Sequence, residues 1–99
     1  MAVLQQGQMV TSRRGRDYGT VYCVLQIVDD QHVLLADGRR RSTLKPKRKN
    51  VKHVMVHPFR DSAVSQALVQ NDEITDEHVR KAVARYHGRE EGSVGHGER

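Results

Sequence analysis

The alternating segment TVYCVLQIV, residues 20–28, constrains the fold of this chain more than any other stretch. Its apolar face holds Val21, Cys23, Leu25 and Ile27, and the opposite face holds Thr20, Tyr22 and Gln26. A period of two is that of a β-strand with one buried face. The tight connection DDQ, residues 29–31, leads into a second apolar run, HVLLAD, residues 32–37. Together the two runs predict a β-hairpin.

A further short strand is predicted before this hairpin, at residues 8–13, QMVTSR. The turn RRGRDYG joins it to the hairpin, and Gly15 and Gly19 give that turn backbone freedom that other residues lack.

The segment after the hairpin is harder to assign because it contains Pro46. Proline cannot donate to a strand ladder, so residues 43–50 are predicted to form a loop or an edge. A fourth strand is predicted at residues 50–56 and closed by Pro58. Short strands separated by glycine turns indicate a small β-barrel, so the fold class is mainly β with α.

The chain after residue 57 is predicted to be helical. Residues 61–70 form a marginal helix with Asp61 as its N-cap, and residues 75–88 form a stronger one. Thr75 is the N-cap of the second helix, and Gly88 stands where C-terminal caps prefer glycine.

The second helix carries one apolar stripe, at spacings i, i+3, i+4 and i+7. Its members are Val79, Ala82, Val83 and Tyr86. Ile74, before the cap, is placed to pack on Val79 as a hydrophobic staple. We expect the stripe to pack on the barrel, because a small core gains from added burial. Docking on a partner protein is the alternative.

Positive charge is concentrated in one segment of this 99-residue chain. Eight of the fifteen residues 39–53, here called the basic segment, are Lys or Arg, and none is Asp or Glu. The net charge is +5 overall, with +7 in residues 1–56 and −2 in residues 57–99. Such asymmetry points to a polyanionic partner for the first part of the chain.

A solvated face is the ordinary explanation for a run of charge, and three features argue against it here. The positive charges are unmixed with acids and repel one another. Arginine forks match phosphate oxygens two at a time. A second basic cluster, Arg13, Arg14 and Arg16, lies in another glycine-bearing turn. These features favour a nucleic-acid backbone as the partner. RNA is favoured over DNA because no helix carries the basic residues into a major groove.

The motifs GRDYG (residues 15–19), ADGRRR (36–41) and PKRKNVKH (46–53) resemble those of KOW-domain RNA-binding proteins. This family includes the eukaryotic-type large-subunit ribosomal protein fourteen and its small bacterial relatives. The similarity is evident over residues 7–57, and ITDEHVRKAV, residues 74–83, resembles the ending of the bacterial members. The chain after residue 57 otherwise looks unlike the ribosomal members.

The resemblance implies a small Src-homology-3-like (KOW) β-barrel followed by one or two C-terminal helices, and binding to ribosomal RNA. Gly15 and Gly19 would shape the first turn. Many relatives have Lys at the position of Tyr18, which is placed to stack on an unpaired base. The residues expected at RNA are Arg13, Arg14, Arg16, Tyr18, Arg39, Arg40, Arg41, Lys45, Lys47, Arg48, Lys49 and Lys52.

Catalytic and metal chemistry find little support. Cys23 lies on an apolar strand face, which favours a buried, inert thiol. The pair Asp29 and Asp30 lies in a hairpin connection and is expected to serve the turn. His53 and His57 lie in a segment predicted to be extended, without the thiolates of a typical zinc site. We therefore expect no enzyme, no cofactor and no metal.

The predicted organisation is a KOW-type barrel at residues 1–57, a helical appendage at 58–88 and a disordered tail at 89–99. The expected function is RNA binding in association with the ribosome, in the cytoplasm and by a monomer, with ribosomal proteins as further partners. No segment is apolar enough to predict a membrane partner. The alternative functions are a protein-interaction module that docks on the translation or transcription machinery, and a nuclear-targeting basic run.

Overall fold

The computed structural model describes the backbone of residues 4–96 and the side chains of residues 4–89. Five strands precede two helices along the chain. The strands are β1 (Gln8–Ser12), β2 (Val21–Ile27), β3 (His32–Ala36), β4 (Lys47–Asn50) and β5 (Val54–Arg60). A single 3₁₀ turn, Val51–His53, separates β4 from β5. The helices are α1 (Ser62–Val69) and α2 (Asp76–His96). In this part of the chain no helix has the length and apolarity that crossing a bilayer requires.

The five strands form one antiparallel sheet in the order β4-β3-β2-β1-β5. This confirms the predicted hairpin. Of residues 43–50, which were predicted to form a loop or an edge, residues 47–50 form the edge strand β4. The two outermost strands, β4 and β5, form no ladder with each other among the described residues. The structure therefore shows a five-stranded sheet followed by two helices, and it does not show a closed ring of paired strands.

Pro58 was predicted to end the last strand, but it lies inside β5. Proline is tolerated there because β5 is an edge strand, which has one side without a ladder partner. The predicted strand at residues 50–56 is likewise divided. Its first residue, Asn50, ends β4, and β5 begins at Val54.

Strand β2 is buried on both faces, and not on one as its alternation predicted. Cys23 and Leu25 face the helices, whereas Tyr22 and Val24 face a second core on the other side of the sheet. The pairing with β3 shifts register between Val24 and Gln26, which is the mark of a β-bulge. A bulge reverses the alternation beyond it.

Ile27 therefore leaves the face on which the sequence placed it. It pairs with Val33, a member of the second core, and it remains 41% exposed. The bulge depends on how β2 meets β3, so the pattern of β2 alone does not reveal it.

The predicted stripe on α2 packs on the sheet. Val79, Ala82 and Tyr86 are buried in one cluster with Met9 and Cys23 of the strands. Ile74 and Val83 pack against the same cluster, and the specific contact of Ile74 with Val79 stays a prediction. Because the stripe is covered internally, it does not form an exposed docking surface.

Both predicted N-caps are confirmed. The Asp61 carboxylate accepts a hydrogen bond from Val64 N at 3.0 Å, and Thr75 Oγ1 accepts one from His78 N at 3.3 Å. His78 Nδ1 in turn accepts from Thr75 N at 3.0 Å, so the cap is reciprocal. Asp61 also accepts two hydrogen bonds from Arg85, at 2.7 and 2.9 Å, which join the start of α1 to α2.

The predicted end of the last helix at Gly88 is wrong. Helix α2 continues to His96, and Gly88 lies inside it. Gly88 does not adopt the positive φ that a C-terminal glycine cap requires, so nothing in its backbone ends the helix. The division of the chain at residues 57 and 88 stays a prediction, as does the disorder assigned to residues 89–99. Residues 1–3 and 97–99 lie outside the described chain.

Candidate nucleic-acid interface

The two turns that carry the clustered arginines lie at the same end of the sheet. The β1–β2 turn is residues 13–20, and the β3–β4 turn is residues 37–46. In the ladders, Thr11 pairs with Val21, Cys23 with Ala36, and Leu35 with Lys47. The end of β1, the start of β2, the end of β3 and the start of β4 are therefore neighbours. The two basic turns adjoin because alternate connections of an antiparallel meander fall on one side.

The β1–β2 turn has the backbone that its glycines were predicted to supply. Gly15 and Gly19 both have φ of +88°, a region that residues with a Cβ rarely enter. Tyr18 N donates to Gly15 O at 3.1 Å, and Thr20 N donates to Asp17 O at 2.9 Å. This folding leaves the Tyr18 ring 75% exposed.

Asp17 holds the turn together from inside. It accepts hydrogen bonds from Ser12 Oγ at 2.8 Å, Tyr22 Oη at 2.7 Å and Lys49 Nζ at 2.8 Å. Burial alone would raise the pKa of Asp17, but the bonds from Lys49, Tyr22 and Ser12 outweigh it and hold that pKa well below its usual range. Burial and the Asp17 carboxylate raise the pKa of Tyr22 well above its usual range. Tyr22 is therefore a structural residue, 2% exposed, and not a stacking surface.

Lys49 was predicted to face RNA, and the structure corrects this. Only 8% of the residue is exposed, and its Nζ donates to Asp17 and to Arg14 O, the latter at 2.9 Å. Lys47 lies at the same carboxylate, with Nζ 3.8 Å from Asp17 Oδ2. The segment that lacks acids in its own sequence thus takes its counter-charge from the neighbouring turn.

The β3–β4 turn is built on Asp37. Its Oδ1 accepts from the backbone N of Arg39 at 3.0 Å and of Arg41 at 2.9 Å. The carboxylate is thereby engaged with the backbone, and the guanidinium groups of these arginines are left at the surface. Leu44 in the same turn is 87% exposed.

Eight predicted site cations are exposed and form no ion pair within the part of the chain whose side chains are described. They are Arg13, Arg14, Arg16, Arg39, Arg40, Arg41, Lys45 and Lys52. Arg48 is 58% exposed at the side chain and lies 3.9 Å from Asp29 Oδ2, which weakens its positive field only partly. The eight unpaired cations and Arg48 form the surface that we call the basic face.

His53 reports the electrostatic environment at this face. Loss of solvation, followed by the positive charges of Arg14, Lys52 and Lys49, lowers the pKa of His53. Its carbonyl oxygen accepts from Arg13 N at 2.8 Å, so the turn before β5 touches the β1–β2 turn. Side chains from two separate parts of the chain, residues 13–20 and 49–53, therefore contribute to one positive region.

Two residues that support this surface were not identified from the sequence. Asp17 lies in the predicted β1–β2 turn, and its position between two glycines and beside a basic cluster is the signal in the sequence for its role. Arg80 of α2 donates from Nη1 to Gly38 O at 2.7 Å and holds the β3–β4 turn. No local pattern marks Arg80, because its partner is 42 positions away.

The residues considered for other chemistry have structural surroundings. Burial raises the pKa of the Cys23 thiol to about 12. Asp29 Oδ1 accepts from Gln31 N and His32 N, both at 2.8 Å, which confirms its turn role. His57 Nε2 lies 2.6 Å from Thr11 Oγ1, and its ring stacks on Tyr86. Within the described residues no three His, Cys, Asp or Glu side chains gather as a metal site would require.

Comparison with known proteins adds an independent observation. The chain is 29% identical over 83 residues to the large ribosomal subunit protein eL14 of Hyperthermus butylicus, and the alignment covers 84% of this chain and 78% of that protein. The chain resembles a large-subunit ribosomal protein. The predicted resemblance to a large-subunit ribosomal protein is therefore confirmed. No protein-family model matches the chain.

The extent of the similarity corrects one expectation. An aligned stretch of 83 residues cannot fit within the first 57 residues of the chain. The resemblance to the ribosomal protein must therefore continue into the helical part, which the sequence patterns had set apart from the ribosomal members.

Proposed function

We propose that this protein binds structured RNA, and ribosomal RNA in particular, through phosphate contacts from its basic face. The observation that carries the proposal is the meeting of two arginine-bearing turns at one end of the sheet, with eight exposed cations free of ion pairs among the described side chains. Such a surface gains affinity by releasing the counterions of a phosphate backbone. Similarity to a ribosomal protein supports ribosomal RNA as the source of the phosphates.

Exposed apolar side chains within the basic face support binding to RNA that contains unpaired bases. Tyr18 is 75% exposed and Leu44 is 87% exposed, each beside exposed cations. An aromatic ring offers stacking to a base that is not already stacked in a duplex. Loops and bulges of a folded RNA are therefore the expected targets, and regular duplexes are expected to bind less tightly.

The fold proposed for this function is the Src-homology-3-like barrel of KOW proteins, over residues 1–57, with the helices as its appendage. The proposed site of action is the cytoplasm, with ribosomal proteins as neighbours. A protein-docking module remains the second hypothesis, but its best candidate surface, the stripe on α2, is already buried against the sheet.

Charge-matched triple variants test the proposal. We expect Arg13/Arg14/Arg16→Ala and Arg39/Arg40/Arg41→Ala to weaken binding to large-subunit ribosomal RNA, measured by fluorescence anisotropy over a KCl series. Removing one cation from a phosphate reduces the slope of log affinity against log salt by about 0.7 to 0.9. Each triple should therefore reduce the slope by about 2 to 3.

The matched control is Arg60/Lys81/Arg89→Ala, which removes the same charge from exposed positions outside the basic face. Its slope should stay near that of the unaltered protein. Equal losses of affinity in all three variants would mean that net charge, and not the basic face, drives binding. Sedimentation of the unaltered protein with ribosomal subunits at low and high salt tests the ribosomal source of the RNA. Failure to sediment with either subunit at low salt would refute that source.

A further inference from the structure

A groove at the edge of the basic face opens between the β3–β4 turn, the start of β2 and helix α2. Its volume is about 470 Å³, and its lining includes Thr20, Asp37, Arg39, Arg80, His87 and Gly88. Thr20 belongs to the β1–β2 turn and Arg39 to the β3–β4 turn. The groove therefore continues the basic face onto a helix to which no binding role has been assigned.

The charges in the groove favour an anion. Arg80 is half-buried, and its Nη1 is oriented by the bond to Gly38 O at 2.7 Å, which leaves other donors of its guanidinium unused by that carbonyl. Asp37 is 8% exposed, and its Oδ1 is engaged by the backbone of the turn. Asp76, the other carboxylate near Arg80, accepts from Thr43 N at 2.7 Å. Arg39 and Arg80 form no ion pair within the described side chains.

Gly88 lines this groove from the middle of α2. A Cβ built on it meets no atom of the described chain within 4 Å, and its φ is not in the left-handed region. Neither packing nor backbone conformation therefore calls for glycine at this position. Glycine inside a helix is unfavourable relative to alanine. A larger side chain at residue 88 can thus be used to fill the groove.

We infer that this groove holds one nucleotide of the bound RNA, with its phosphate between Arg39 and Arg80. The inference rests on the proposed function and extends it by naming a helical contribution to the interface. A volume of several hundred Å³ suits a ligand of nucleotide size. Arg39 belongs both to the basic face and to the lining of the groove, so an RNA chain held by the β3–β4 turn would lie beside the groove.

The test compares pairs of variants for binding to a fluorescein-labelled RNA stem-loop by fluorescence anisotropy. Arg80→Gln and Lys81→Gln each remove one positive charge from α2, but only Arg80 lines the groove. Gly88→Leu fills the groove and retains both arginines, whereas Gly88→Ala fills little of it. We expect about tenfold weaker binding for Arg80→Gln and Gly88→Leu, and less than about twofold for the two controls.

Melting temperatures separate binding from folding. Gly88→Ala should raise the melting temperature by about 2 to 5 °C, because alanine favours the helix. If Gly88→Leu and Arg80→Gln bind as tightly as the unaltered protein while the arginine triples bind more weakly, the groove does not hold a nucleotide. The proposed function would still stand in that case. Absence of binding by the unaltered protein, to this stem-loop and to ribosomal RNA alike, would overturn both.

Discussion

Among single residues, Asp17 matters most for the basic segment, because its carboxylate neutralises the buried Lys49 of that segment. Its side chain is 12% exposed and that of Lys49 is 8% exposed, so the pair is largely shielded from water. A buried amino group is costly unless it is paired and hydrogen-bonded, and Asp17 supplies both conditions. The exposed cations need no such partner, because water or a phosphate solvates them. Asp17 therefore allows the basic segment to fold, while the exposed cations of that segment stay available to bind phosphate.

Replacing Asp17 by Asn should lower the free energy of unfolding by about 3 kcal/mol, because it leaves Lys49 buried without its counter-charge. The matched control is Asp30→Asn, an exposed acid in the β2–β3 connection, which should change stability by less than about 0.5 kcal/mol. Urea unfolding followed by circular dichroism measures both. Equal stability of the two variants would show that the buried pair contributes nothing.

The Asp17–Lys49 pair should make the stability of the protein depend on pH in the acid range. The folded-state pKa of Asp17 is depressed, so its stabilisation is present above the unfolded pKa of about 4 and is lost as pH falls below it. Asp17→Asn should lack this part of the decline between about pH 4 and pH 2. A variant that declines as steeply as the unaltered protein in this interval would contradict the assignment.

His53 should gain a proton when RNA binds. Its pKa is lowered in the free protein, partly by neighbouring cations, and phosphates at the basic face would offset those charges. The bound pKa is then higher than the free one, so affinity should rise as pH falls through the interval between them. Histidine titrations by NMR, with and without RNA, measure the shift. The variant His53→Gln should lose this pH dependence, and a pKa that falls on binding would contradict the model.

At the scale of elements, helix α2 fixes the position of the β3–β4 turn. Arg80 bonds to Gly38 O, and Asp76 accepts from Thr43 N. Gly38 has φ of +77°, and a Cβ placed there would lie 2.5 Å from Asp76 O. The turn therefore depends on glycine twice, once for its backbone and once for its contact with the helix. This contact explains how a basic loop keeps one shape.

Gly38→Ala and Gly19→Ala separate these two causes. Both residues have a positive φ, but a Cβ at Gly19 meets nothing within 4 Å among the described residues. We expect Gly19→Ala to cost about 1 kcal/mol of stability from backbone strain, and Gly38→Ala to cost more than about 2 kcal/mol. Thermal unfolding measures the difference. Equal costs would show that the turn does not press against α2.

At the scale of the whole molecule, the sheet has a core on each face and the helices complete one of them. Met9, Cys23 and Leu25 of the strands share a cluster with Val79 and Tyr86 of α2. The sheet and helices should therefore unfold together, although the sequence patterns suggested a barrel with an appendage. If the helices unfolded before the sheet, the apolar face of the sheet that they cover would be exposed to water, which is unfavourable.

Val79→Ala should lower the free energy of unfolding by about 2 kcal/mol, since Val79 is fully buried in the shared cluster. The control Val69→Ala, at a residue that is 64% exposed, should change it by less than about 0.5 kcal/mol. In a Tyr86→Phe background, circular dichroism of the helices and near-ultraviolet absorbance of the buried Tyr22 should report the same transition. Separate transitions would show that the helices are an independent unit.

Features that depend on neighbouring residues could be predicted from the sequence. The first three strands, the caps at Asp61 and Thr75, and the stripe on α2 follow from periodicity and from short-range hydrogen bonding. The two arginine clusters were also evident in the sequence. Their placement at one end of the sheet follows once the strands are known to form a meander, because alternate hairpins share an end.

Which charges are paired inside the protein and which remain at its surface is seen only in the folded structure. Lys49 and Asp17 are 32 positions apart, and Arg80 and Gly38 are 42 apart, so no local pattern links them. The bulge in β2 likewise arises from its pairing with β3. Long-range contacts depend on which surfaces the folded chain brings together. Because an unpaired buried charge is unfavourable, a buried charged side chain pairs with a group on the neighbouring surface.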